Sequence, residues 1–332
     1  MFLGNKTTNN YQIFSSENLA PLPTTGMVRS ASKSSVTVQP ILPTKAVSQK
    51  IMTNSNTNAP TRYIGVFIST SPSDPNFQTA LDEYQQLGVN IVYNYSAFDG
   101  TIAQVNAFLD YANSKKIKVI VNLAQLYDNL AGSSANLSDF AQYGSSNEAI
   151  ALSVVKNFQS NPGVWGFSIA DETPETSNDL SVWQPILADR YAKVKELTAK
   201  PIMAVMVGWN DSNQNNRIEL FSSVKKVSDT LALDYYPVPY LPTNNISTFL
   251  RDAGPNNWFV EQAFSWASYP DTASMLGFDP NIARFPTYDE MLQMAQMGIS
   301  SATQNILFFS YFDIANNPAQ VQALSHVIHA LR

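Results

Sequence analysis

The chain has 332 residues, a net charge of −6 and no cysteine. The acidic balance argues against nucleic acid or an anionic membrane as the main partner, because both bind basic surfaces. Without cysteine the protein has neither disulfide bonds nor thiolate chemistry, and its two histidines do not predict a metal site.

Residues 1–60 differ in composition from the rest of the chain. They are rich in Ser, Thr, Asn and Pro without a sustained apolar period, which predicts a disordered leader or linker. The first residues lack the charged-then-apolar pattern of a secretory signal, yet the polar, weakly charged composition fits an extracellular or cell-surface protein. No apolar run reaches the roughly 20 residues that span a bilayer. The oligomeric state stays open.

From residue 61 to 332, short apolar runs alternate with segments of helical periodicity such as Phe77–Leu87 and Tyr288–Met297. Such alternation fits either a (β/α)₈ TIM barrel or a doubly wound open sheet. The count of eight runs, the polar residues at their ends and the lack of a Gly-rich loop after the first run favour the barrel, an α/β fold. The predicted strands are Tyr63–Ser69, Asn90–Tyr95, Lys118–Ala124, Val164–Ala170, Ile202–Val207, Thr230–Tyr235, Trp258–Ala263 and Asn305–Tyr311.

The fourth strand ends in two acids, a threonine and a proline, Asp171 to Pro174. Strict alternation puts Glu172 on the small-residue face, which suits a barrel interior, and turns Asp171 the other way. At the carboxyl-terminal rim, where barrel enzymes keep their active sites, Glu172 is a candidate proton donor, because an apolar strand end raises the pKa of a carboxyl group. Alternatively, these acids cap the next helix, with Pro174 in its first turn.

A second carboxylate could come from the sixth or the seventh strand. In the seventh, either Glu261 or Gln262 must face the barrel, and only Glu261 could be a nucleophile. In the sixth, Asp234 shares a face with Ala232 and should point inward beside Tyr236.

The rest of the predicted rim is aromatic and amide-rich, with almost no Lys or Arg. Aromatic faces and neutral hydrogen-bonding groups suit a carbohydrate better than a phosphorylated substrate. The candidate substrate-binding residues are Asp171, Asn94, Tyr236, Gln262, Trp209, Trp266 and Tyr311.

Four short motifs occur in a familiar order: Ala170–Pro174, Asp234–Pro237, Gln262–Phe264 and Arg284–Thr287. With these motifs, residues 62–332 resemble the TIM-barrel glycoside hydrolases, above all the clan whose acid/base glutamate ends the fourth strand and whose nucleophile glutamate ends the seventh. They are closer still to uncharacterised glycosidase-like barrels with Asp-Glu-Pro at the fourth strand.

The resemblance implies hydrolysis of O-glycosidic bonds in an oligo- or polysaccharide, with retention of configuration and without a cofactor. Glu172 would be the acid/base, and Glu261 or Asp234 the nucleophile or base. Asp171 stands where the clan has an asparagine that bonds the substrate 2-hydroxyl, and the third motif aligns Gln262 with the pocket, so the choice between Glu261 and Gln262 stays open. The alternative is a catalytically degenerate, carbohydrate-binding barrel.

Overall fold

Eight strands and eleven helices make up the described part of the chain. The computed structural model describes residues 62–129, 139–140, 144, 146–207, 213–301, 303 and 305–332. Its strands are β1 Ile64–Ile68, β2 Ile91–Asn94, β3 Lys118–Asn122, β4 Val164–Asp171, β5 Ile202–Val207, β6 Thr230–Tyr235, β7 Trp258–Gln262 and β8 Asn305–Phe309. Its helices are α1 Phe77–Leu87, α2 Ile102–Ser114, α3 Ala124–Asn129, α4 Asn147–Phe158, α5 Leu180–Leu197, α6 Gln214–Val224, α7 Asn245–Asp252, α8 Pro270–Met275, α9 Tyr288–Ser300, α10 Tyr311–Ile314 and α11 Pro318–Ala330. None of these described helices has the length and apolarity that crossing a bilayer demands.

The eight strands form a closed parallel barrel. Each strand pairs with the next along the chain, and β8 pairs with β1. The predicted (β/α)₈ barrel is therefore confirmed, and the doubly wound alternative is wrong. The proposed leader, residues 1–60, lies outside the described residues, so its disorder stays a prediction.

The strands separate an apolar interior from an apolar layer beneath the helices. The interior holds the aromatic rings of Phe67, Tyr93 and Trp258, whereas Val66, Val92 and Phe259 pack on the helix side. Successive side chains of a strand point to opposite faces, so each strand contributes to both layers. The carboxyl ends of all eight strands meet at one mouth.

The Arg-x-Pro-Thr motif is a helix cap. The Thr287 side chain accepts a hydrogen bond from the Glu290 amide (3.3 Å), and the Glu290 carboxylate accepts one from the Thr287 amide (2.8 Å). The Arg284 guanidinium binds both oxygens of the same carboxylate at 2.6 Å. This capping box begins α9, which packs on the outer face of β7.

Candidate active site

β4 is irregular, and the irregularity decides where its acids point. Its pairing with β5 skips Ile169, and its pairing with β3 skips Trp165. Both Ile169 and Ala170 pack on the helix side, so the alternation is out of phase beyond this bulge. Asp171 consequently turns inward, and the expectation that Asp171 and Glu172 diverge is wrong.

Glu172 leaves the strand with a left-handed backbone. Its φ is +56°, a conformation that costs a non-glycine residue about 1 kcal/mol or more. Its amide still donates to the Val205 carbonyl on β5 at 3.0 Å. The half-buried side chain forms a hydrogen bond with Asp234 on β6. Two acids adjacent in sequence therefore both reach the mouth.

Asp234 and Glu172 are a buried carboxyl pair. Asp234 is only 3% exposed. Burial, and then repulsion from Glu172 and Asp171, raises the pKa of Asp234 well above its usual value. Burial also raises the pKa of Glu172, while the hydrogen bond from Asp234 acts in the opposite direction. The proton of the pair thus rests on Asp234 and is donated to Glu172.

Tyr236 completes this side of the mouth as the sequence predicted, next to Asp234. Its hydroxyl donates a hydrogen bond to the Asp234 carboxyl group, which lowers the pKa of that group. Asp234 Oδ1 has no hydrogen-bond partner among the described residues. That oxygen is therefore a free acceptor, although a buried one.

Asp171 occupies the other side of the mouth. It accepts hydrogen bonds from the Tyr95 hydroxyl and the Asn122 amide. Burial, followed by repulsion from Glu172, raises the pKa of Asp171 to about 7. Asp171 thus changes its charge near neutral pH, while the Glu172–Asp234 pair keeps a proton. This arrangement can donate one proton and accept another, as acid–base catalysis requires.

The capping alternative for the β4 acids is wrong. The helical segment after β4 begins at Ser177, and its cap is made by Thr176 and Asp179. Pro174 follows a cis peptide bond and lies outside any helix. Neither Asp171 nor Glu172 is used to start a helix.

Of the two orientations left open for β7, the one in which Glu261 faces the barrel is wrong. β7 pairs regularly with both neighbours, and Glu261 lies between Tyr235 and Phe308, which pack on the helix side. Glu261 is fully buried, and neither carboxyl oxygen has a hydrogen-bond partner among the described residues. Burial alone raises the pKa of Glu261 well above its usual value. A carboxyl group behind the barrel wall cannot face Glu172.

Gln262 takes the inward position on β7, but its amide is already occupied. Its Oε1 accepts from the Val238 amide at 2.7 Å, and its Nε2 donates to the carbonyls of Val238 (2.8 Å) and Phe264 (3.1 Å). The side chain is fully buried. Both amide donors of Gln262 are used within the protein, and its contact with substrate stays a prediction.

Asn94 points away from the mouth. Its amide donates to the Thr70 carbonyl at 2.9 Å and accepts from the Ser96 amide at 3.0 Å. By alternation along β2, it is Tyr93 that faces the interior, where it stacks on Phe67. This orientation does not favour a contact between Asn94 and substrate, which stays a prediction.

Two of the predicted aromatic contacts, Trp266 and Tyr311, pack against other parts of the protein. Trp266 is 3% exposed, and its Nε1 donates to the Tyr236 carbonyl at 3.3 Å, so it supports the wall and presents no open face. Tyr311 stacks edge-on against Tyr84 of α1, behind the barrel wall. These positions do not favour the two substrate contacts, which stay predictions. Trp209 lies outside the described residues.

Sequence reasoning missed two residues that the mouth uses. Asn122, at the end of β3, bonds Asp171, and its place after an apolar strand was the available signal. Phe309, at the end of β8, is partly exposed and tilts over Tyr236 with ring centroids 5.6 Å apart. Alternation from inward Leu307 would have identified it.

Across the residues that the structure describes, no group of three His, Cys, Asp or Glu side chains is arranged to hold a metal ion. The three acids of the mouth interact instead with each other and with Tyr95, Tyr236 and Asn122.

No protein-family model matches the chain, and no curated protein matches it. Solved structures do share its fold. A glucosidase from Croceicoccus marinus is 13% identical, with a TM-score of 0.53 over 81% of this chain and 68% of that one.

Two further solved structures also share the fold of this chain. Gas2p of Saccharomyces cerevisiae, in complex with laminaripentaose, is 12% identical, with a TM-score of 0.52 over 82% of this chain, which spans 65% of that protein. An endo-1,4-β-D-mannanase from Thermotoga petrophila RKU-1 is 11% identical, with a TM-score of 0.52 over 80% of this chain and 99% of that one. At such low identities the likeness shows a shared TIM-barrel fold.

Proposed function

We propose that this protein hydrolyses O-glycosidic bonds of an oligo- or polysaccharide. The observation that supports this most is the meeting of Asp171, Glu172 and Asp234 at the mouth of the barrel, with one proton held by a carboxyl pair. Glycoside hydrolysis requires one protonated and one ionised carboxyl group. The neutral, aromatic remainder of the mouth suits a sugar.

Glu172 is proposed as the proton donor, because it is the more exposed member of the pair. The single proton of the pair passes from Asp234 to Glu172 and from Glu172 to the leaving oxygen as the glycosidic bond breaks, which leaves both carboxyl groups ionised. Water forms the new bond to the anomeric carbon, and Asp171 accepts the proton that this water loses.

This assignment changes the role first predicted for Asp234. A direct hydrogen bond between Glu172 and Asp234 leaves no space for a scissile bond, since catalytic carboxyl groups flank it at about 5 Å or more. Asp234 is therefore proposed as the proton partner of Glu172, and Asp171 as the opposing carboxylate. Retention of configuration was predicted from a strand-seven nucleophile that does not face in, so Asp171 has to supply either that nucleophile or the general base of an inverting reaction.

The proposal is tested by Glu172→Gln in the full chain, assayed on aryl glycosides and on β-mannan and laminari-oligosaccharides, the sugars that the similar structures suggest. We expect turnover to fall about 1,000-fold or more, because the leaving group loses its acid. Glu261→Gln is the matched control, since it makes the same exchange behind the barrel wall, and it should change turnover less than about twofold. Equal activity of Glu172→Gln and the unmutated chain would end the assignment.

A second function is favoured by Gln262, whose amide stands where the clan that the chain resembles has its nucleophile. In that case the barrel binds a carbohydrate without cleaving it. Saturable binding of an oligosaccharide with no product after prolonged incubation would support this alternative. Glu172→Gln would then leave the affinity within about tenfold, as expected for the loss of one charged hydrogen bond.

A further inference from the structure

We infer that Gln262 is a positioning residue: its amide holds the chain after β6 in place and thereby keeps the Tyr236 hydroxyl on the carboxyl group of Asp234. The inference rests on the proposed function for its catalytic consequence. It assigns a role to the inward residue of β7, which sequence resemblance placed in the pocket.

The Gln262 side chain joins two strand ends with three hydrogen bonds. Its Oε1 accepts from the Val238 amide at 2.7 Å, and its Nε2 donates to the Val238 carbonyl at 2.8 Å. The same Nε2 donates to the Phe264 carbonyl at 3.1 Å. All three lie in the buried interior, where a backbone N–H or C=O group without a partner is unfavourable. The amide therefore fixes the position of Val238.

Val238 lies two residues after Tyr236, and Tyr236 itself is attached to the loop that follows β7. Trp266 Nε1 donates to the Tyr236 carbonyl at 3.3 Å. Farther out, the ring of Tyr240 stacks on Phe278, with centroids 4.4 Å apart. The loops after β6 and β7 are thus joined along their length, and Gln262 is the innermost contact.

Tyr236 connects the position of this segment to the carboxyl pair of Asp234 and Glu172. Its hydroxyl donates to Asp234, and Asp234 in turn donates to Glu172. If the segment carrying Tyr236 shifts, Asp234 loses a donor, and its pKa rises further. Gln262 thus acts on the site without touching the reacting atoms.

This role explains why a carboxylate would not serve at position 262. An ionised glutamate there has no donor and a protonated one has a single O–H, so at least one of the carbonyls of Val238 and Phe264 would lose its hydrogen bond. Gln262→Glu restores the acid of the clan that the chain resembles, yet we expect it to lower activity as Gln262→Met does. Higher activity, or a covalent glycosyl-enzyme in Gln262→Glu, would overturn the inference.

The first experiment measures amide hydrogen exchange at Val238 in the full chain. Exchange should accelerate about tenfold or more in Gln262→Met, because this amide loses its acceptor. The matched control is Gln320→Met: Gln320 is also buried and donates to a backbone carbonyl, that of Pro286 (3.0 Å), but it lies in the helix layer. Unchanged protection of Val238 in Gln262→Met would refute the attachment.

The second experiment follows the carboxyl groups of Asp234 and Glu172 by ¹³C NMR against pH. Both Gln262→Met and Tyr236→Phe should move the Asp234 titration upward by about one pH unit, the equivalent of one hydrogen bond, whereas Gln320→Met should not move it. A titration that moves in Tyr236→Phe but not in Gln262→Met would refute positioning. This readout needs no turnover, so it decides the role of Gln262 even if the unmutated chain cleaves no glycoside and the proposed function fails.

Where the unmutated chain is active, kcat of Gln262→Met should fall about tenfold with little change in KM, because the proton shared by the pair shifts while the sugar contacts remain. A loss confined to KM would contradict the inference.

Discussion

The ends of β4 and β7 differ in regularity, and this difference decides which acids face the mouth. β7 pairs without interruption with both neighbours, so its glutamate follows the alternation outward. β4 skips one residue against each neighbour, and Glu172 then turns left-handed. An acid at a strand end is therefore informative about function only when the local register is known.

Asp171→Asn gives β4 the residue usual in the clan that the chain resembles. If Asp171 accepts a proton, kcat/KM should fall about 100-fold. In the unmutated chain, activity should rise as the pH passes through about 7, where Asp171 ionises, and this rise should be absent in the variant. The pH dependence of kcat/KM measures both.

If Asp171→Asn keeps its activity and the rise with pH, Asp171 is instead a substrate contact comparable to the clan's asparagine. The comparison of the two strands would then stand, but the opposing carboxylate would have to be sought elsewhere.

Glu261→Met should stabilise the protein by about 2 kcal/mol, because it removes a buried carboxyl group without partners and keeps the volume. The folded-state pKa of Glu261 is raised above 4.5, so the native protein loses stability as the pH rises above that value. The advantage of the variant should therefore grow from acidic toward neutral pH. Denaturant unfolding at several pH values checks this.

Glu261→Gln distinguishes two contributions to the free energy of unfolding, the ionisation of the carboxyl group and the burial of a polar group without partners. The amide of the variant cannot ionise, but it is buried and still lacks partners. The stability of this variant relative to the unmutated chain should also change with pH, but without the full gain of Glu261→Met. A pH-independent difference for both variants would contradict a protonated Glu261.

Gly298→Ala tests the outward face of β7 from the helix side. A Cβ on Gly298 of α9 would lie 2.8 Å from Cδ1 of the buried Phe259. The clash should outweigh the gain in helix propensity and lower the free energy of unfolding by about 1 kcal/mol. Thermal or denaturant unfolding measures the loss.

Phe259→Leu provides the partner for a double-mutant cycle. Its smaller side chain should remove most of the penalty of Gly298→Ala, giving a favourable coupling between the two changes. Additive effects would mean that Phe259 does not face α9, and the register of β7 would need revision.

The smallest change in stability is expected for Glu172→Gly, which relieves the left-handed backbone and should add about 0.5 kcal/mol of stability while abolishing turnover. Glu172→Ala is the control, because it removes the same carboxyl group but keeps the unfavourable φ. If alanine stabilises as much as glycine, the gain comes from removing the buried acid and not from the backbone.

The barrel was predictable from the sequence, because apolar runs and helical segments report local periodicity, and the eight predicted strands agree with the structure within one or two residues. It also placed Asp234 and Tyr236 on the inner face, since β6 is regular. Asn94 and Tyr311 show where strand ends mislead: both lie next to the mouth in sequence but point behind the wall.

The conformation at the end of β4 and the choice between Glu261 and Gln262 could be read only from the tertiary structure. The bulge at Ile169 and the φ of Glu172 depend on how β4 fits between β3 and β5, and no local pattern records that fit. Alternation could not decide whether Glu261 or Gln262 faces the interior, because the two residues are adjacent in one apolar strand. The choice was settled by Val238, a residue 24 positions away whose backbone groups need the Gln262 amide. Local periodicity depends on neighbouring residues, whereas the register of strand pairing and the hydrogen-bond partners depend on segments that are distant in the chain.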